Sequence, residues 1–213
     1  MAEPTAVLLV VAHPSPTSFT RQLADRFAAG VRATGAGVEV ADLYAEGFDP
    51  VLREPDLAQF SGGRMPDDVL REQARVDRAD ALVLAFPVWW WSFPAMLKGW
   101  VDRVWSQGWA YTFSPERSRG LLPDKPVLLL AVAGSRASTY RRYGYDGAMR
   151  TQIDVGVLGY GGLTDVTAEF FHEVDDHAAA RPGHLARARA LGGEWLSRPR
   201  SATPGRPGAV REA

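Results

Sequence analysis

The sequence predicts an α/β protein: a doubly wound parallel sheet of five strands with helices on both faces. Three observations carry this. Five short apolar, β-rich runs, near residues 5–12, 38–42, 81–86, 127–133 and 164–171, alternate with stretches of helical periodicity. The first two runs flank a single helix, and a strand–helix–strand start implies a right-handed crossover between parallel strands. The inner runs are continuous in apolar character, as strands covered on both faces require.

Taken in order, Thr5 to Ala12 reads as a central strand and His13 to Thr20 as a loop. The following helix has Ser18 as N-cap, an apolar stripe of Phe19, Leu23, Phe27 and Val31, and Gly35 and Gly37 to close it. Val38 to Asp42 is a short second strand, and Leu43 to Met65, with its scattered Pro, Gly and charge, is a long excursion. A helix over 66–78 leads into the third strand, Ala81 to Phe86, which Pro87 ends because it has no N–H for the ladder. The next helix begins near Pro94 and repeats Met96, Leu97, Trp100, Val101, Val104 and Trp105 at helical spacing, to end near Gln107. Val127 to Ala133 is the fourth strand and Gly134 to Gly147 a polar, aromatic loop. Ala148 to Leu158 is a further helix, Thr164 to Phe171 the fifth strand, and Leu185 to Leu196 a last helix. One domain over 1–197 is expected, with 198–213, rich in Pro, Gly and Arg, as a disordered tail.

Composition narrows the function. A chain of 213 residues buries a full-sized core, and a formal charge of −1 offers no broad field for nucleic acid or acidic membranes. With no cysteine, disulfides, thiolate metal sites and cysteine nucleophiles are excluded. No apolar run is long enough to span a membrane and the start lacks a signal-peptide pattern, so a soluble cytoplasmic protein is expected.

The stretch from Ala85 to Trp100 organises the chain. Trp89, Trp90 and Trp91 occupy a connection that would ordinarily be polar, at the carboxyl end of a parallel strand, where open α/β sheets bind ligands. Wide, flat side chains there suit a planar ligand; the competing reading is a core or dimer surface, and three in succession beside a strand end favour the ligand. In the His13–Thr20 loop, the hydroxyls of Thr17, Ser18 and Thr20 and the amides of the helix start make an anion site; a plain helix cap would leave the same pattern. Neither a G-x-G-x-x-G nor a Walker A pattern is present, and no G-x-S-x-G elbow. His172 and His177 are five apart and therefore not on one helical face, so no metal site is expected. Arg136, Arg141 and Arg142 serve equally as phosphate contacts or as solvated charge. Tyr140, Tyr143, Tyr145 and Asp146 share a loop in which a phenol near a carboxylate is able to bind a substrate oxygen or move a proton, although ordinary packing explains any one of them.

Together, Ala12–Thr20, Phe86–Trp100 with Asp102-Arg103-Val104, Trp109–Phe113, and Gly134 with Tyr140 and Gly147 resemble the NAD(P)H:quinone oxidoreductases of flavodoxin-like fold, a family that includes the ancillary oxidoreductases of bacterial potassium-efflux systems. The similarity runs from about Val7 to about Leu196. It implies strand order 2-1-3-4-5, a homodimer with two sites at its interface, FAD or alternatively FMN as cofactor, NADPH or NADH as donor, and a quinone or similar aromatic acceptor. It assigns His13, Thr17, Ser18, Phe19 and Thr20 to the flavin phosphates and ribityl chain, and Pro87, Val88, Trp89, Trp90 and Trp91 to the isoalloxazine. Ala133, Gly134, Ser135 and Tyr140 fall at its far edge, and Trp90, Tyr111 and Phe113 in the substrate pocket, the last two reaching into the partner subunit. Gly134, Tyr140 and position 146 form the implied catalytic group, and there the chain departs from the family: Asp146 stands where a histidine is thought to relay charge with the tyrosine. An aspartate accepts rather than donates at neutral pH. Trp89 likewise replaces a family glutamine, which makes the pocket drier. The competing functions are a flavin-bearing regulatory subunit of a membrane transporter and a one-electron carrier; the latter is disfavoured by the lack of acidic excess.

Overall fold

A computed structural model describes residues 5–114, 118–174 and 178–199. In chain order it contains β1 (Ala6–Val11), α1 (Phe19–Arg32), β2 (Gly37–Asp42), α2 (Asp67–Arg78), β3 (Ala81–Pro87), α3 (Ala95–Val104), β4 (Tyr111–Phe113), β5 (Ser118–Gly120), β6 (Val127–Val132), α4 (Ala137–Tyr143), α5 (Tyr145–Met149), β7 (Val166–Phe171) and α6 (Arg181–Glu194). Five strands form one parallel sheet in the order β2-β1-β3-β6-β7. With the small antiparallel hairpin β4–β5 set aside, this is the expected order 2-1-3-4-5.

Side-chain alternation along β1 sorts the core into two layers. Val7, Leu9 and Val11 pack under α1 and α6 with Leu23, Phe27, Val31 and Leu191; Leu8 and Val10 share the opposite layer with Val76 of α2 and Leu97 and Trp100 of α3. Every residue of β3 and β6 is buried, and at about 1.5–3 kcal/mol for each large apolar side chain these two strands anchor the sheet. Ser18 caps α1 by accepting the Arg21 N–H at 3.2 Å. Helices α1 and α6 cross at Gly30 and Gly192, where a Cβ on either residue would run into the backbone of the other helix.

Some elements differ from expectation. The stretch 134–147 is largely helical rather than a loop: α4 and α5 are short helices broken at Gly144, whose φ of 70° is left-handed. Neither is long enough to display an apolar period, and each is held by one buried anchor, Tyr140 or Met149. The helix expected from Ala148 runs as a widened helix with i→i+5 bonding over Arg150–Gly159. Helix α6 starts at Arg181 with Pro182 in its first turn, before the apolar repeat that marked Leu185. Within the excursion, Glu54–Ser61 forms a 3₁₀ helix. Most of the tail, from residue 200, lies outside the described residues. Among the described residues no helix is long and apolar enough to cross a membrane.

Candidate functional site

Because β1, β3 and β6 are neighbours, the loops leaving their carboxyl ends, 12–18, 88–94 and 133–136, lie side by side. One hydrogen bond beyond each strand sets where its loop departs: Ala12 N–H to Ala85 O at 3.0 Å, Val88 N–H to Val132 O at 2.8 Å, and Ala133 N–H to Phe171 O at 2.9 Å. The chain passes from β1 outward to β2 and then returns to β3 on the other side, so the crevice between the first two loops is the topological switch point.

The first loop presents hydroxyls and amides. The Ser15 N–H donates to His13 Nδ1 at 3.0 Å, and burial lowers the His13 pKa, so this ring is neutral at pH 7 and offers Nε2–H outward. Ser15 Oγ and Thr17 Oγ1 lie 3.2 Å apart. Ser18 spends one lone pair on the helix cap and keeps its O–H for a ligand, while Thr20 is buried in the first turn. The Arg181 guanidinium lies 5.3 Å above the Phe19 ring, with His184 beyond it.

The tryptophan loop is a tight turn closed by the Ser92 N–H on Trp89 O at 3.2 Å. Both of its central residues are left-handed, Trp90 at φ 52° and Trp91 at φ 55°, a backbone that turns normally assign to Gly or Asn. Left-handed non-glycine residues cost about 1–3 kcal/mol each and persist only where their surroundings hold them. Here Trp91 stacks on Tyr145 with centroids 4.0 Å apart, Ser92 Oγ donates to Gln152 Oε1 at 3.0 Å, and Trp89 lies against His13 at 5.9 Å. The turn thus holds Trp90 outward, 87% exposed, above the switch point.

The third loop is tied to the end of β7. Ser135 O accepts from the Glu173 N–H at 3.4 Å and lies 3.1 Å from His172 Nδ1, which as the N–H tautomer donates to it. Glu173 has φ 60° and pairs with Arg136 at 3.2 Å. Tyr140 is buried among Tyr145, Phe170 and His172, whose ring centroid is 4.9 Å away. Burial pushes its hydroxyl up to about 12, so it stays protonated and available as a donor. Asp146 instead bonds its own Gly147 N–H at 2.9 Å and lines a cavity of about 510 Å³. Among the described residues no hydrogen bond joins Tyr140 to Asp146, and the titratable imidazole packed on the phenol ring is that of His172. The sequence offers His172 only as a candidate metal ligand, because its neighbour in space, Tyr140, is 32 positions earlier in the chain.

Tyr111 packs on Tyr160 at 5.2 Å, and Phe113 is 61% exposed at the hairpin. Arg142 lies over the Tyr143 ring at 5.4 Å. Of the two histidines considered for a metal, His177 lies outside the described residues, and no metal-binding cluster occurs among the described ones.

Burial also lowers the His172 pKa from its ordinary 6.5, opposed by the Ser135 carbonyl. A histidine depressed in the fold supports stability above its unfolded pKa and loses that support as pH falls through the folded value. Urea midpoints of the wild type are therefore expected to drop from neutral pH toward about pH 5 more steeply than those of His172→Gln. Parallel profiles would show that His172 carries no such linkage.

The wider relationships agree with this geometry. A family profile for the flavodoxin-like fold matches residues 5–191. An NAD(P)H oxidoreductase of Haemophilus influenzae is 35% identical over 175 residues, covering 80% of this chain and 87% of that protein. The solved NAD(P)H:quinone oxidoreductase of Methanothermobacter marburgensis superposes with a TM-score of 0.82 at 34% identity, over 90% of this chain and 99% of that one. A more distant structure, an FMN-dependent NADH-azoreductase of Bacillus anthracis in complex with FMN, shares the fold at a TM-score of 0.70 and 14% identity, over 91% and 100% of the two chains. A parallel sheet in the order 2-1-3-4-5, a turn of three tryptophans at the carboxyl end of its third strand, and a sequence match across nearly the whole chain converge: the chain belongs to the NAD(P)H:quinone oxidoreductase family of flavodoxin-like fold.

Proposed function

We propose that this chain is a flavin-dependent NAD(P)H:quinone oxidoreductase, working by two half-reactions through one pocket. The observation that carries the reading is the Trp90–Trp91 turn, a strained backbone that keeps a bare indole at the switch point where such sheets bind flavin. The residues present fit that group. The first-turn amides of α1, with the hydroxyls of Thr17 and Ser18 and the His13 Nε2–H, suit its phosphate and ribityl chain, whereas Thr20 is itself buried in the first turn. Pro87, Val88 and Trp89 to Trp91 offer a flat wall, and at the opposite edge lie Ala133, Gly134 and Ser135, where the Ala133 N–H and the Ser135 carbonyl are already bonded within the fold. The flavin is FAD or, as in the azoreductase complex, FMN.

When bound, flavin supplies a carrier that takes a hydride from NADPH or NADH and passes two electrons to the acceptor. The balance is NAD(P)H, one proton and a quinone going to NAD(P)⁺ and a hydroquinone. This chain's part is placement and proton supply. The indole wall excludes water and aligns planar reactants. The protonated Tyr140 hydroxyl is a donor for developing negative charge, with His172 packed on its ring to fix it. Gly134 places only backbone at that edge, and Asp146 lines the cavity under the Arg150–Gly159 helix. Phe113, exposed with Trp90, and Tyr111 complete the pocket from a second copy in a homodimer.

Anaerobic mixing of the flavin-loaded protein with NADPH or NADH is expected to bleach the visible band, and one equivalent of quinone to restore it without a long-lived radical. A stable one-electron intermediate would favour the carrier reading, and no bleaching by either nucleotide would overturn the proposal.

A further inference from the structure

We propose, resting on the function above, that Arg142 binds the 2′-phosphate of NADPH and makes this chain prefer NADPH to NADH as its hydride donor. The geometry behind this is a run of ring contacts that leads away from the tryptophan turn. Trp90 meets Trp91 edge-on with centroids 6.1 Å apart, and Trp91 stacks on Tyr145 at 4.0 Å. Tyr145 lies against Tyr143 at 5.6 Å, and the Arg142 guanidinium sits 5.4 Å from the Tyr143 centroid. Successive interplanar angles of 27° and 32° keep the last three rings close to parallel with their neighbours. Because the run begins on residues of the slot itself, a nicotinamide held against Trp90 has its adenosine half within reach of Tyr143 and Arg142, both exposed.

Helix α4 explains why a cation stands there. Tyr140 is its buried anchor, and Arg141 and Arg142, the next two positions, face solvent. The helix ends at the left-handed Gly144, after which Tyr145 turns back between Tyr143 and Trp91. A guanidinium that packs on an aromatic ring keeps its N–H fork for a phosphate, which it binds in a bidentate manner.

The charges around the run, all counted alike, leave it positive. Arg136 is matched by Glu173 at 3.2 Å and Arg150 by Asp154 at 3.8 Å. Arg141 and Arg142, which have no ion pair among the described residues, then stand against the single carboxylate of Asp146, which accepts the Gly147 N–H. NADPH differs from NADH only in carrying a phosphate where NADH has a ribose hydroxyl. A net cation beside that position attracts the phosphate and gains little from the hydroxyl.

Two readouts test this. The first is the ratio of kcat/KM for NADPH to that for NADH with one quinone, in wild type, Arg142→Gln and Arg136→Gln. Since each protein is scored by its own ratio, a general loss of folded enzyme cancels. The wild type is expected to favour NADPH on the order of tenfold, and Arg142→Gln to lose most of that preference. Arg136→Gln, whose cation is engaged by Glu173, should keep it within about twofold. The second readout needs no turnover: calorimetric binding of adenosine 2′,5′-bisphosphate and of 5′-AMP to the oxidised, flavin-loaded protein. The bisphosphate is expected to bind severalfold more tightly to the wild type, by a margin that shrinks as salt is raised and is lost in Arg142→Gln. A wild type that uses the two nucleotides equally or favours NADH would overturn the assignment, as would an Arg142→Gln that keeps the wild-type ratio in either readout. Flavin bleached equally well by both nucleotides rejects only this role of Arg142; flavin that neither reduces rejects the function itself.

Discussion

Arg103→Leu is expected to destabilise the protein by about 3–5 kcal/mol, because it strands a carboxylate in the core. Arg103 is 5% exposed and Asp56, 3.0 Å from its Nε, only 1%. The same guanidinium donates to Asp68 at 2.6 and 3.2 Å and to Asp49 O at 2.9 Å, and it lies over the Phe48 ring. Removing it leaves Asp56 with the Arg53 N–H at 2.7 Å as its remaining hydrogen bond. Against a total stability of about 5–15 kcal/mol, that is a large fraction. The network also pins the 44–65 excursion onto α3, the helix into which the tryptophan turn feeds, so flavin retention should fall with stability. Adding Asp56→Asn to Arg103→Leu should recover part of the loss, since no buried charge then lacks a partner. Urea unfolding measures both; a loss below about 1 kcal/mol for Arg103→Leu would show that the pair is not carrying the excursion.

The second large effect separates function from stability at one position. Trp90→Gly and Trp90→Ala both remove the exposed indole, and each is expected to weaken flavin binding and slow both half-reactions by about 5- to 100-fold, from about 1–3 kcal/mol of lost aromatic stacking. Their effects on the fold should diverge. At φ 52° glycine is relaxed and alanine is not, so Trp90→Gly should be more stable than Trp90→Ala by about 1 kcal/mol, and at least as stable as the wild type. A glycine variant that keeps full activity would mean the ring is not part of the site. One that unfolds more easily than the alanine variant would mean that the turn is not strained.

How much of this was legible in the sequence depends on the range of the interaction. Local signals read well. The apolar run at 81–86, the Ser18 cap and the four-residue repeat from Phe19 to Val31 are each decided by neighbours a few positions away, and the structure has them as expected. The position of the tryptophan loop beyond a parallel strand was legible for the same reason. Its conformation was not, because no propensity assigns a left-handed backbone to two tryptophans; contacts with Tyr145 and Gln152, more than fifty residues on, impose it. His172 reaches Tyr140 only through the parallel register of β6 and β7, in which Val132 pairs with Phe171. Helices α4 and α5 are too short to show a period, and the hairpin β4–β5 has only three residues in each strand.

The most direct measurement is to purify the protein, record its visible spectrum, and identify by chromatography whatever chromophore heat or acid releases. A yellow protein holding one flavin per chain is expected, with Trp90→Ala binding it markedly more weakly. A colourless polypeptide that takes up neither FAD nor FMN when either is supplied in excess would contradict it.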